Sequence, residues 1–119
     1  MTMINQADNV GKPVKVMAIF PSRRASKVEM RELATLIKPS LLGATDICVR
    51  IAKDDPHADF LTTCTQRWGT PRLHLDRSEM LDGATHVVCF SQNGSLEFKG
   101  IIDKCSKRQI SLMDLRYSV

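Results

Sequence analysis

Aromatic residues are scarce in this chain: one Trp, one Tyr and four Phe among 119 residues. A platform on which successive bases of a single strand stack needs more flat rings than that. Cysteine is also little used. The four stand at positions 48, 64, 89 and 105, with no Cys-x-x-Cys pair and no His at ligand spacing. That excludes a zinc-site pattern, and no metal or cofactor is expected. No apolar run approaches the ~20 residues of a membrane span, so no membrane partner is expected. Residues 1–12 lack the basic start and apolar segment of a signal peptide. Residues 1–13 are therefore expected to form a flexible polar arm, and the protein to stay in the cytoplasm. No repeat, low-complexity segment or linker divides the remainder, so residues 14–119 are expected to be one domain. Charge is only mildly one-sided, at +4 with a pI near 9.0. The basic clusters Arg23-Arg24 and Lys104, Lys107, Arg108 read as solvated helix faces more readily than as a nucleic-acid surface.

What the chain does contain is alternation. Residues 14–20 and 87–90 are short apolar runs of the kind buried on both faces of a parallel sheet. Residues 47–51 make a shorter strand, 71–75 a weaker one suited to a sheet edge because it carries Pro71, and 110–115 a fifth. Between them lie helical stripes. Met30, Leu33, Ala34 and Ile37 recur at i, i+3, i+4, i+7, with Ser26 and Glu29 as a capping box and Pro39 as the stop before Gly43. Asp55-Pro56 predicts an N-cap and first residue for the helix marked by Leu61, Cys64 and Trp68, with Gly69 closing it. Residues 76–81 predict a short helical turn. Phe98, Ile101, Ile102 and Cys105 stripe a helix expected to run from Leu96. The cysteines fall on these strands and stripes, which reads as small buried hydrophobes in a reducing compartment.

Strands alternating with helices predict a three-layer, Rossmann-like, doubly wound parallel sheet of about five strands. In the order 3-2-1-4-5, strands one and four are neighbours where the winding reverses, and ligands bind beyond their carboxyl ends. Those ends are Ser22-Arg23 and Ser91-Gln92-Asn93-Gly94-Ser95. The second is expected at a helix N-terminus, where unpaired N–H groups suit an anion. Arg23 offers a planar fork to a phosphate and Arg77 a second cation. Ser22 and Ser95 offer hydroxyls, Gly94 a close backbone approach, and Gln92 and Asn93 amides able to read hydroxyls or a base edge. Asp55 and Asp59 are placed to accept from ribose hydroxyls. His57, His74 and His86 have no evident orienting partner and are not expected to be catalysts.

Ser22-Arg23 after strand one, Ala58-Asp59 entering helix two, Arg77 after strand three and Phe90-x-x-Asn-Gly-Ser95 after strand four together resemble the SLOG superfamily. That superfamily comprises Rossmann-like nucleotide- and sugar-binding domains, and the small stand-alone YspA-like members are nearest. The resemblance implies a nucleotide or nucleotide-derived ligand and a homodimer. Pro21 stands where the family has glycine, and Pro56-His57-Ala58-Asp59 replaces a glycine-rich loop. Leu96-Glu97 replaces Gly-Thr, and the acidic residue of the hydrolase branch falls at Gly100. Binding, as in sensing or sequestration, is therefore the leading expectation. The alternatives are a nucleoside or nucleotide N-glycoside hydrolase or transferase using Glu97 or Asp59, and a small basic module for nucleic acid or protein.

Overall fold

A computed structural model describes residues 14–42 and 44–119. The arm expected over residues 1–13 and the turn residue Gly43 lie outside the described residues. Five parallel strands form one sheet: β1 (Lys15–Pro21), β2 (Ile47–Ala52), β3 (Arg72–Leu75), β4 (His86–Gln92) and β5 (Ser111–Tyr117). Their order is β3-β2-β1-β4-β5, the predicted doubly wound arrangement. Three helices, α1 (Lys27–Leu41), α2 (Ala58–Arg67) and α3 (Lys99–Arg108), connect them, giving a three-layer Rossmann-like fold.

Strand alternation sorts the core into two halves. Met17, Ile19, Val49, Ile51, Val88 and Phe90 pack with Met30, Leu33, Ile37 and Leu41 of α1 and Leu61 of α2. Ala18, Phe20, Val87 and Cys89 face the other way, against Phe98 and Cys105 of the α3 segment and Met80 and Leu81. In α1 the capping box forms as expected: Glu29 N–H donates to Ser26 Oγ at 3.4 Å, and Ser26 N–H donates to Glu29 Oε1 at 2.9 Å.

Three element boundaries depart from expectation. Helix α1 does not stop at Pro39 but runs through it to Leu41. A proline in the last turn forfeits one backbone bond, and the gain is a completely buried Leu41. Helix α2 begins at Ala58, not at Pro56. The Asp55 carboxylate caps a local turn instead, accepting the His57 N–H at 2.8 Å. Helix α3 begins at Lys99, well after Ser95, because β4 stays paired with β5 through Ser91↔Arg116 and Gln92↔Tyr117. The polar turn is thereby displaced from the helix end.

The β3–β4 connection contains a 3-10 turn (Arg77–Glu79) in place of a long helix. Arg50 holds it to the sheet, donating through Nη1 to the carbonyls of Glu79 at 3.3 Å, Met80 at 3.0 Å and Asp82. A charged residue inside β2 thus adds a donor to carbonyls of this compact turn, of which Glu79 O also accepts the Asp82 N–H at 3.2 Å. The sheet face beneath is covered by no full helix there, so Cys48 is half-buried, as is Cys64 on α2, where complete burial was expected. Cys89 and Cys105 are buried, and desolvation pushes the Cys89 thiol up to about 12. Among the described residues no helix is long and apolar enough to cross a membrane.

Substituting Arg50→Met keeps the aliphatic stem but removes the donor to three carbonyls. Loss of such a charged hydrogen-bond set is expected to lower stability by about 2 kcal/mol. In urea unfolding this reads as a lower midpoint at unchanged slope; an unchanged midpoint would show that the clamp carries no stability.

Candidate functional site

The loops after β1 and β4 meet because their strands are hydrogen-bonded neighbours, with Pro21 opposite Phe90. Ser22 N–H continues the pairing by donating to Phe90 O at 2.7 Å. The β1 loop turns back at once, with Ala25 N–H donating to Ser22 O at 3.1 Å and Arg24 N–H to Ser22 Oγ at 3.2 Å. Neither Pro21 nor any of residues 22–26 takes a positive φ, so the glycine that the resembled family has at this position is not required and Pro21 is accommodated.

Across the gap, Gly94 takes φ +85 and Ser95 N–H donates to Gln92 O at 2.9 Å. Ser95 Oγ then accepts from Glu97 N–H at 3.1 Å. Arg116 of β5 braces this turn. Its Nη1 donates to Ser95 O at 2.6 Å, while Nε and Nη2 fork onto Asp114 at 3.0 and 3.2 Å. Glu97 closes the gap: its Oε2 accepts the backbone N–H of Arg23 at 3.2 Å.

The result is a cleft of about 370 Å³ lined by Ser22, Arg23, Arg24, Gln92, Ser95 and Glu97. Two guanidiniums, hydroxyl and amide groups, and one carboxylate share it. That set can hold an anionic oxygen group and bond sugar-like hydroxyls. The β4 turn is not itself a helix N-terminus, because α3 starts at Lys99 with Phe98 at its cap. The expected dipole contribution is therefore absent from this turn.

The remaining candidates are dispersed. Asn93 is exposed and is not among the residues lining the cleft; its backbone N–H donates to Tyr117 O at 2.7 Å. Ser91 is buried within β4. Asp59 is exposed in the first turn of α2 and is not among the residues lining this cleft. Asp55 and Arg77 belong to an ion-pair chain behind the cleft. Arg23 Nη2 reaches Asp54 at 3.4 Å, and Arg77 reaches Asp54 at 3.7 Å and Asp55 at 3.8 Å. Their separations make these long contacts, with Arg77 Nε buried and lacking a hydrogen bond. His57 ties the β2 loop to the β1 loop, its Nε2 3.0 Å from Ser22 O. A carbonyl only accepts, so Nε2 carries the proton.

Four residues complete the arrangement without having been singled out for it: Arg24, Asp54, His57 and Arg116. The Arg23-Arg24 pair and the Asp54-Asp55 pair are visible as charge doublets. His57 and Arg116 carry no local signal, since both act on backbone carbonyls remote in sequence.

The Asp55 side chain is only 1% exposed. Desolvation raises its carboxyl above the ordinary value, outweighing the bond from His57 N–H and the nearby charges of His57, Arg77 and Arg23. A carboxyl with a raised folded pKa contributes its stability at low pH and loses it as pH rises through that value. Relative to Asp55→Asn, the native protein is therefore expected to lose stability between the unfolded carboxyl's ~3.9 and the raised folded value. Urea midpoints of both proteins across that range check this; a native midpoint that rises relative to that of Asp55→Asn as pH increases would contradict it.

Comparison with protein-family models, curated proteins and solved structures finds no match to this chain.

Proposed function

We propose that this protein binds a nucleotide or nucleotide-derived ligand in the cleft between the β1 and β4 loops, in a sensing or sequestering role of the SLOG type. The observation that carries the reading is the meeting of Ser22–Arg24 with Gln92, Ser95 and Glu97 at one cleft. That cleft stands at the carboxyl ends of the two strands between which the winding reverses, where such sheets bind ligands. Arg23 and Arg24 suit a phosphate. Gln92, Ser95 and the Glu97 carboxylate suit the hydroxyls and polar edges of a nucleoside. Because Glu97 already accepts the Arg23 N–H, an entering phosphate takes that donor and sends the carboxylate toward a ligand hydroxyl. The sequence position of the hydrolase branch's acid holds Gly100, within α3, which favours binding over turnover.

Thermal unfolding with millimolar AMP, ADP-ribose, NAD or a cyclic dinucleotide tests the assignment. At about 100 times Kd a true ligand adds ~2.7 kcal/mol, and Arg23→Ala is expected to abolish most of the shift. Stabilisation by none of the four would overturn it.

A second reading rests on Glu97 itself, the only carboxylate lining this cleft among the described residues. A carboxylate beside a bound glycosidic bond can act as the acid/base of an N-glycoside hydrolase or transferase. Incubation with AMP and chromatography for free adenine decides between the two. Release that vanishes in Glu97→Gln assigns the enzyme; no release in the native protein leaves binding alone.

A further inference from the structure

The two edges of the sheet are protected unequally. Strand β3 has only four residues, Arg72–Leu75, and Pro71 precedes it; both features blunt an edge against further pairing. Strand β5 runs for seven residues, Ser111–Tyr117, without a proline or a lysine. It pairs with β4 in an unbroken register from His86↔Ser111 to Gln92↔Tyr117, and among the described residues no strand pairs with its outer side. Ser111 N–H donates to Thr85 O, and Tyr117 O accepts the Asn93 N–H, so the odd-numbered residues of β5 turn their backbone groups toward β4. Alternation then points the N–H and carbonyl of Leu112, Asp114 and Arg116 outward.

An open edge accepts another strand, and its side chains decide which one. Leu112 and Met113 are 36% and 38% exposed, so this edge is apolar as well as unpaired. Arg116 forks onto Asp114 of its own strand at 3.0 and 3.2 Å, which puts both charges on one face, on either side of Leu115. A two-fold axis at Leu115 sets two copies of β5 antiparallel, with Asp114 of each directly opposite Arg116 of the other. Both are outward-pointing residues, so each such pair exchanges two backbone hydrogen bonds. On the other face Leu115 meets itself and Met113 meets Tyr117, apolar against apolar. An axis at Asp114 or at Arg116 instead opposes like charges, and one at Met113 sets Leu112 against Asp114, so charge selects a single register. The strand is complementary to itself.

We propose that the outer edge of β5 is a homodimer interface, at which a second copy of this chain adds its own β5 antiparallel about Leu115. The sheet then continues across the two-fold axis. The paired Asp114 and Arg116 side chains fix the register, and the partner strand covers Met113.

Sedimentation velocity and amide hydrogen exchange on the full chain, from micromolar to submillimolar concentration, test the proposal. The mass is expected to rise with concentration from 13.3 kDa toward twice that value, while exchange of the Asp114 and Arg116 amides slows. Asp114→Arg and Arg116→Asp each turn the cross-strand pairs into like-charge pairs, and each alone is expected to weaken self-association roughly tenfold or more. Mixed in equal amounts, the two variants again oppose arginine to aspartate at every cross-strand pair, and association is expected to return. A protein that stays monomeric at submillimolar concentration overturns the proposal. So does a dimer whose Asp114 and Arg116 amides exchange as in the monomer, which would place the interface elsewhere. Slow exchange of those amides in a monomer also overturns it, by putting another segment of the same chain on the edge. Folded variants that fail to associate when mixed do the same. Circular dichroism reports whether each variant is folded; if either is not, mass and amide exchange of the native protein decide alone.

Discussion

Everything at the carboxyl edge of this sheet depends on β1 and β4 lying side by side. Their pairing puts Pro21 opposite Phe90, and the Ser22 N–H to Phe90 O bond extends it into the first loop. Both strands are apolar on both faces, so neither can sit at an edge without exposing one of them. Strands β3 and β5 have exposed positions and take the edges instead. With β1 and β4 central and adjacent, the two loops that leave them cannot avoid each other. A cleft is then a consequence of topology, and its chemistry is set by whichever side chains the two loops carry.

Those side chains form a chain of charge. Glu97 meets the Arg23 backbone, Arg23 meets Asp54, and Arg77 meets Asp54 and Asp55. Asp55 accepts from His57, whose ring returns to Ser22. Arg23, Asp54 and Glu97 are solvent-exposed and Arg77 is half-buried, and exposed ion pairs contribute little to stability. Their effect is positional: three loops from β1, β2 and β3 are held in one arrangement behind the cleft. Asp55 is the exception, because its buried carboxylate carries a desolvation cost that its partners do not cancel.

The short β3–β4 connection acts on one side of the sheet. Its 3-10 turn depends on Arg50 for hydrogen bonds to its carbonyls. Met80 and Leu81, which follow the turn, still pack with Phe20, Phe98 and Cys105 in a buried cluster, while Cys48 on the same face of β2 stays half-buried.

Sequence by itself determined the elements, their order and the sheet they make. Apolar runs of period two and stripes of period 3.6 report which backbone conformation buries a continuous face, and that is a local property. The capping box of Ser26 and Glu29 was legible for the same reason, its partners being three residues apart. The neighbouring of Ser22-Arg23 with the loop after β4 followed from the winding rule alone. Tertiary structure decided which polar residues of those loops face the cleft. Gln92, Ser95 and Glu97 line it, while Asn93 and Asp59 do not. It also decided where α3 starts, since continued pairing with β5 holds Ser91 and Gln92 in the strand. Orientation of a turn depends on hydrogen bonds to carbonyls remote in sequence, such as those that Arg116 and His57 reach, and no periodicity records a partner that only folding brings near.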